Sequence, residues 1–152
     1  MRFLVDRMLG KLARDLRLLG YDTLYYKGED LLELIDLGRK GRRIILTRNS
    51  RLTPKRPEDR IVQITQDPPT LQLGELISRG YVQLEEGRFF SRCLLCNAPL
   101  GAVLRREVEG KIPDFIFQHH KDFLRCTHCQ KIYWPGTHHE NMKKKLEALK
   151  FQ

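Results

Sequence analysis

The chain reads as an α/β protein: a small parallel sheet flanked by helices, then a four-cysteine zinc ribbon and a terminal helix. Three observations lead there. Apolar runs alternate with helical periodicity along residues 1–80, as in strands joined by crossover helices. Cys-x-x-Cys occurs twice, at Cys93/Cys96 and Cys126/Cys129. Before the first pair the pattern weakens from Tyr81 to Arg92, with a turn at Glu85-Glu86-Gly87-Arg88. The boundary therefore falls so that residues 1–90 form the sheet domain and residues 91–152 the ribbon with its basic C-terminal helix.

Each element has its own signal. Arg2 to Val5 is a short apolar run ending in Asp6, a buried strand. Met8, Leu9, Leu12, Ala13, Leu16 and Leu19 then share one helical face. Gly20 supplies a left-handed stop. Asp22 to Tyr26 predicts the second strand and Asp30 to Arg39 the second helix, ended by Gly38 and Gly41. Arg43 to Thr47 is apolar at its centre, as buried parallel strands are. Arg48 to Asp59 reads as an exposed basic loop, and Arg60 to Thr65 as the fourth strand. Asp67-Pro68-Pro69 breaks the chain before a short helix through Leu71, Leu73, Leu76 and Ile77. In the second module, Ala102-Val103-Leu104 and Asp114-Phe115-Ile116-Phe117 suit hairpin strands. Lys131 to Gly136 reads as a strand entering a turn, and Thr137 with Glu140 fits a capping box opening the last helix.

The charge of +9 is spread over both modules and favours a polyanionic partner, nucleic acid first. A solvated positive face is the alternative. No apolar stretch is long enough to span a bilayer, and the start lacks a signal peptide. The expected compartment is the cytoplasm, where paired cysteines suggest metal rather than disulfide. Two Cys-x-x-Cys knuckles can close a four-sulfur site on one tetrahedral ion, and full ligation makes such zinc structural. An iron–sulfur cluster or a redox dithiol is the rival, and His128 a substitute ligand.

A second constellation is acidic. Asp6 ends strand one, Asp30 opens helix two, Thr47-Arg48-Asn49-Ser50 ends strand three and Asp67 follows strand four. Carboxyl ends of parallel strands share one sheet edge. Carboxylates gathered there would hold Mg²⁺ or Mn²⁺ through oxygen. Each Asp taken alone also reads as a helix cap. Basic residues frame this edge: Arg7, Lys11 and Arg14 along helix one, Arg48, Arg51, Lys55 and Arg56 beyond strand three. Phe89, Phe90, Tyr133 and Trp134 either stack on bases or pack the small module's core.

Val5-Asp6-Arg7-Met8-Leu9-Gly10-Lys11-Leu12-Ala13-Arg14, Leu16 to Asp22, Ile45-Leu46-Thr47-Arg48, both Cys-x-x-Cys pairs and Tyr133 to His138 resemble the Mut-seven C-terminal RNase domain family. The resemblance covers nearly the whole chain. It implies a PIN-like domain fused to a zinc ribbon and a metal-dependent ribonuclease, with acidic positions at Asp6, Asp30 and the residue after Thr47-Arg48. That residue is Asn49 here, where the family pattern has Asp. An amide keeps one carbonyl acceptor but loses the charge. Asp15, where an aromatic is usual, and Gln130, where ribbons usually have Gly, are lesser departures. Asp22 starts its strand and so stands at the wrong edge for ligation.

The resulting expectation is a cytoplasmic metal-dependent endoribonuclease acting on RNA. Asp6, Asp30 and Asn49 would hold the ion, with Asp67 in an outer role. Arg7, Lys11, Arg14, Arg48, Arg51 and the Lys143-Lys144-Lys145 run would contact RNA. The alternative is an RNA-binding module without turnover, and a third reading is a PIN-like protein that needs a protein partner. Oligomeric state, a homodimer included, is not encoded legibly.

Overall fold

A computed structural model describes residues 1–149. Four parallel strands form the main sheet: β1 (Arg2–Val5), β2 (Asp22–Tyr25), β3 (Ile44–Thr47) and β4 (Ile61–Gln63). Their order is β2-β1-β3-β4, with Val5 level with both Tyr25 and Leu46. The two central strands are almost wholly buried, which explains their unbroken apolar runs. After β1 a 3-10 turn, Arg7–Leu9, leads into α1 (Gly10–Leu18). α2 (Leu31–Lys40) joins β2 to β3, and α3 (Pro69–Ser78) follows β4. Gly20 and Gly80 take the left-handed conformation (φ 87° and 75°) that stops α1 and α3.

Side-chain alternation sorts the two faces. Phe3, Val5, Ile44 and Leu46 pack with Leu12 and Leu16 of α1 and Leu73 and Leu76 of α3. Leu4 and Ile45 meet Leu34 and Ile35 of α2 on the other face. Leu52 joins that smaller cluster, so the basic loop after β3 is anchored rather than loose. Asp59 ties it down by accepting from the Lys55 and Arg56 N–H groups (2.8 and 2.9 Å) and from Arg39.

The second module is a three-stranded antiparallel sheet, β5 (Leu100–Val103), β6 (Phe123–Cys126) and β7 (Ile132–Tyr133). Two short helices, α4 (Arg105–Val108) and α5 (Asp114–His119), fill the β5–β6 connection. The expected strand at Asp114-Phe115-Ile116-Phe117 is thus a helix. Pro113 starts it and accepts from the Phe117 N–H at 3.1 Å, and Phe115 stacks on His119 one turn on. Apolar alternation over four residues was too short to outweigh a helix start of the Pro-Asp type. The last helix, α6 (Thr137–Leu149), begins at Thr137 itself, not after it as the capping-box reading expected. The Gly136 carbonyl accepts from the Glu140 N–H at 3.1 Å.

α6 follows the ribbon in sequence but returns to the sheet domain. Met142 and Leu146 enter the larger core cluster and Leu149 packs against it. Lys145 forms an ion pair with Asp15 of α1. Burial pushes the Asp15 carboxyl up, against the pull of Lys145. Asp15 therefore stands where an apolar ring would fit because a lysine from the far end of the chain meets it. Replacing Lys145 by Leu should strand a buried carboxylate and cost about 1–3 kcal/mol in urea unfolding. The double change Asp15→Phe with Lys145→Leu should recover most of that loss.

Candidate active site and metal centre

The carboxyl edge of the sheet is built around Asp6, which is 5% exposed. β1 is central, so Asp6 lies between neighbours on both sides. Its N–H donates to the Leu46 carbonyl at 3.1 Å, while the Tyr26 N–H donates to the Val5 carbonyl at 2.9 Å. One Asp6 oxygen accepts from the Met8 N–H at 2.7 Å and caps the 3-10 turn. The other accepts from the Thr47 hydroxyl at the end of β3. Thr47 Oγ1 in turn accepts from the Asn49 N–H at 2.9 Å, so one buried hydroxyl links positions 6 and 49.

Asn49 makes an Asx turn: its Oδ1 accepts from the Arg51 N–H at 3.0 Å. Its backbone carbonyl accepts from Gln63 Nε2 at 3.1 Å, which ties it to β4. Asp30 is exposed and caps α2, accepting from Leu32 and Glu33 N–H at 2.8 and 3.2 Å. Asp67 is exposed too, with Oδ1 3.3 Å from Arg48. Glu75 fixes the loop before Asp67 by accepting from the Thr65 and Gln66 N–H groups (2.9 and 3.1 Å). Asp6, Asp30, Asn49 and Asp67 thus all follow the carboxyl ends of strands. Among the described residues, however, Asp6, Asp30 and Asp67 do not close into a three-carboxylate cluster. Asp22 lies at the opposite edge, paired with Arg43 at 2.8 Å.

A cleft of about 330 Å³ lies along the turn that Asp6 caps, lined by Met8, Lys11, Arg48, Asp67 and Gln72 among others, while Asp6, Asp30 and Asn49 are not among its lining residues. Arg7 is exposed and pairs with Glu29. Arg14 lies farther along α1, 3.1 Å from His138 Nε2. Arg51, Lys143 and Lys144 are exposed. Lys145 is not free in the same way, being turned onto Asp15.

The sulfur atoms of Cys93, Cys96, Cys126 and Cys129 all lie within 4.8 Å of one another. Cys93 and Cys129 are 3.6 Å apart, Cys96 and Cys126 3.4 Å. Tetrahedral zinc with Zn–S of about 2.3 Å sets edges of about 3.8 Å, so the donor set fits a metal such as zinc. The His128 and Cys129 N–H groups point at the Cys126 sulfur, both at 3.4 Å. Burial works against a thiolate at Cys93, but the Tyr133 hydroxyl (3.0 Å) and the Cys96 and Leu95 N–H groups outweigh it and pull the thiol down to about 6. Burial pushes Cys96 the other way, up to about 12. The residue after each knuckle, Asn97 and Gln130, is left-handed (φ 70° and 65°), which explains why Gly suits position 130.

Two residues that sequence reasoning passed over join this centre to the sheet. Arg17, buried at the end of α1, donates to the carbonyls of Thr23 (2.9 Å), Leu94 (2.8 Å) and Leu95 (3.2 Å). Asn97 accepts from the Thr23 N–H at 2.9 Å and donates to Asp22 at 2.7 Å. The available signal was an arginine inside the apolar run Leu16 to Leu19. Burial lowers the Arg17 pKa, while Cys93 and Cys96 favour its charge.

A parallel α/β sheet joined to a small antiparallel module with four clustered cysteines that could hold a metal defines the class. The chain belongs to the Mut7-C RNAse domain family, whose model matches residues 1–146. Neither a curated protein nor a solved structure matches the chain. No helix among the described residues is long and apolar enough to cross a membrane.

With zinc bound, four cysteine thiolates would carry net negative charge, and Arg17 lies against the first knuckle. Arg17→Leu should speed zinc release to a chromophoric chelator about tenfold, on the scale of other outer contacts to metal ligands. Gln130→Gly should leave that rate unchanged and stabilise the protein by up to about 1 kcal/mol.

Proposed function

We propose that this protein is a metal-dependent endoribonuclease of PIN-like design, weakened by Asn49, with a structural zinc in its ribbon. The observation that carries the reading is the linkage of Asp6 and position 49 through Thr47 at the carboxyl edge of a parallel sheet, the edge where such sheets bind ligands. Asp30 supplies a second carboxylate at the same edge. Family membership supports a ribonuclease-type reaction.

Capping and metal binding do not compete at these positions. Each carboxylate oxygen has two lone pairs: the Asp6 oxygens take one donor each, and both cap donors of Asp30 fall on Oδ1, which leaves its Oδ2 for an ion. Mg²⁺ commonly takes one or two carboxylates, keeps several waters and uses substrate phosphate for the rest. Asp6 and Asp30 supply that minimum, and Asn49 adds an amide where a third charge belongs. A bound Mg²⁺ or Mn²⁺ would lower the pKa of a ligated water and stabilise charge at the phosphodiester. Lys11 and Arg48, lining the cleft along the turn that Asp6 caps, would hold RNA phosphates, and Arg7, Arg14 and Arg51 would extend that surface. Lys143 and Lys144 remain candidates on α6, whereas Lys145 serves the fold. Reduced thiols suit a cytoplasmic setting.

Asn49 favours a second reading, RNA binding without turnover. The two separate cleanly because Asp can make the same Asx turn as Asn, so Asn49→Asp should fold normally. With Mn²⁺ and mixed-sequence RNA, Asn49→Asp is expected to cut at least tenfold faster than the chain with Asn49. Adding Asp6→Asn should abolish that gain. An Asn49→Asp protein that binds RNA but cuts none would establish the binding-only reading instead.

A further inference from the structure

A second cavity, of about 270 Å³, lies where the ribbon, α1 and the start of α6 meet. Its apolar lining comes from Leu18, Leu94 and Leu124, and its aromatic lining from Phe90, Tyr133 and Trp134. Cavities for drug-sized ligands run from about 300 Å³ upward, so this one suits a single ring system. Arg92, His138 and Asp122 bring polar groups to it. Phe90 is held at φ 58°, a conformation bulky residues seldom adopt, with its N–H on the Leu18 carbonyl at 2.8 Å and its ring stacked on His139 at 4.2 Å.

The position of this cavity points to its occupant. Lys11 lines the cleft along the turn that Asp6 caps and Leu18 lines the cavity, so the two lie toward opposite ends of one helix, about 10 Å apart along its axis. Arg14 stands between them on α1, exposed and in contact with His138. We infer that the cavity receives one unpaired base of single-stranded RNA, stacked on Trp134. The strand's phosphates run along Lys11 and Arg14 toward Asp6. Aromatic stacking combined with a basic track is the general mode of single-strand binding. The lining is mainly apolar and aromatic, as the faces of a base require, and Arg92 and Asp122 add hydrogen-bonding groups for its polar edge. This inference rests on the RNA reading above but not on cleavage.

Trp134 is the only tryptophan in the chain, so its fluorescence reports on the cavity alone. The zinc-loaded protein, without added Mg²⁺ or Mn²⁺, is titrated with an eight-residue oligoadenylate and with an abasic oligomer of equal length. The expected result is quenching by the first and none by the second. In anisotropy measurements, Trp134→Ala should weaken oligoadenylate binding about tenfold and leave the abasic oligomer unaffected, the scale of one lost base–aromatic stack. Oligoadenylate that binds without quenching overturns the inference and leaves the nuclease reading intact. Equal quenching by both oligomers also overturns it. Quenching by oligoadenylate alone, in a protein whose Asn49→Asp variant cuts nothing, supports the cavity while removing the nuclease. If neither oligomer binds, the inference falls together with the RNA reading.

Discussion

The carboxylate of Asp6 is the constraint on which the site depends. It is buried at the end of the central strand, and its two oxygens reach in different directions. One caps the turn that launches α1. The other reaches Thr47 and through it the backbone of Asn49. The strand end, the helix start and the β3–β4 loop are thus held by a single side chain. Cap and ligand first look like competing explanations of Asp6. The geometry makes them compatible, because the cap orients the same group that an ion would meet.

The second constraint is the closure of the chain onto itself. Arg17 and Asn97 seat the first cysteine knuckle against β2, the edge strand of the main sheet. α6 then crosses back and puts Met142 and Leu146 into the sheet domain's core. The cysteine cluster and the packing of the sheet domain are therefore joined through named contacts. The aromatic cavity exists because of this closure, since its lining comes from α1, both knuckle-bearing segments and the turn into α6.

Much of the sheet domain was legible from periodicity, because buried parallel strands need continuous apolar runs and amphipathic helices need a stripe. The cysteine centre was legible from spacing alone. Asp114–His119 was misread because four residues cannot separate period 2 from period 3.6 when Pro113 precedes them. The return of α6 was hidden by Lys145, a charge inside the apolar stripe that makes sense only once Asp15 is seen opposite. Asp6, Asn49 and Asp67 follow strands and Asp30 opens α2, positions that the run of elements already indicates, but Thr47 as the bridge between positions 6 and 49 needs three dimensions to be seen. Arg17 shows the same limit: sequence marks it as anomalous, and only the fold says what it touches.

Position 49 is proposed to complete an oxygen site for a divalent cation together with Asp6 and Asp30. Mn²⁺ binding to the zinc-loaded protein, followed by electron paramagnetic resonance of the free ion, tests this without reference to cleavage. Asn49→Asp should tighten Mn²⁺ binding by about tenfold or more, and Asp6→Asn in that background should reverse it. Equal Mn²⁺ affinity in all three proteins would contradict the account.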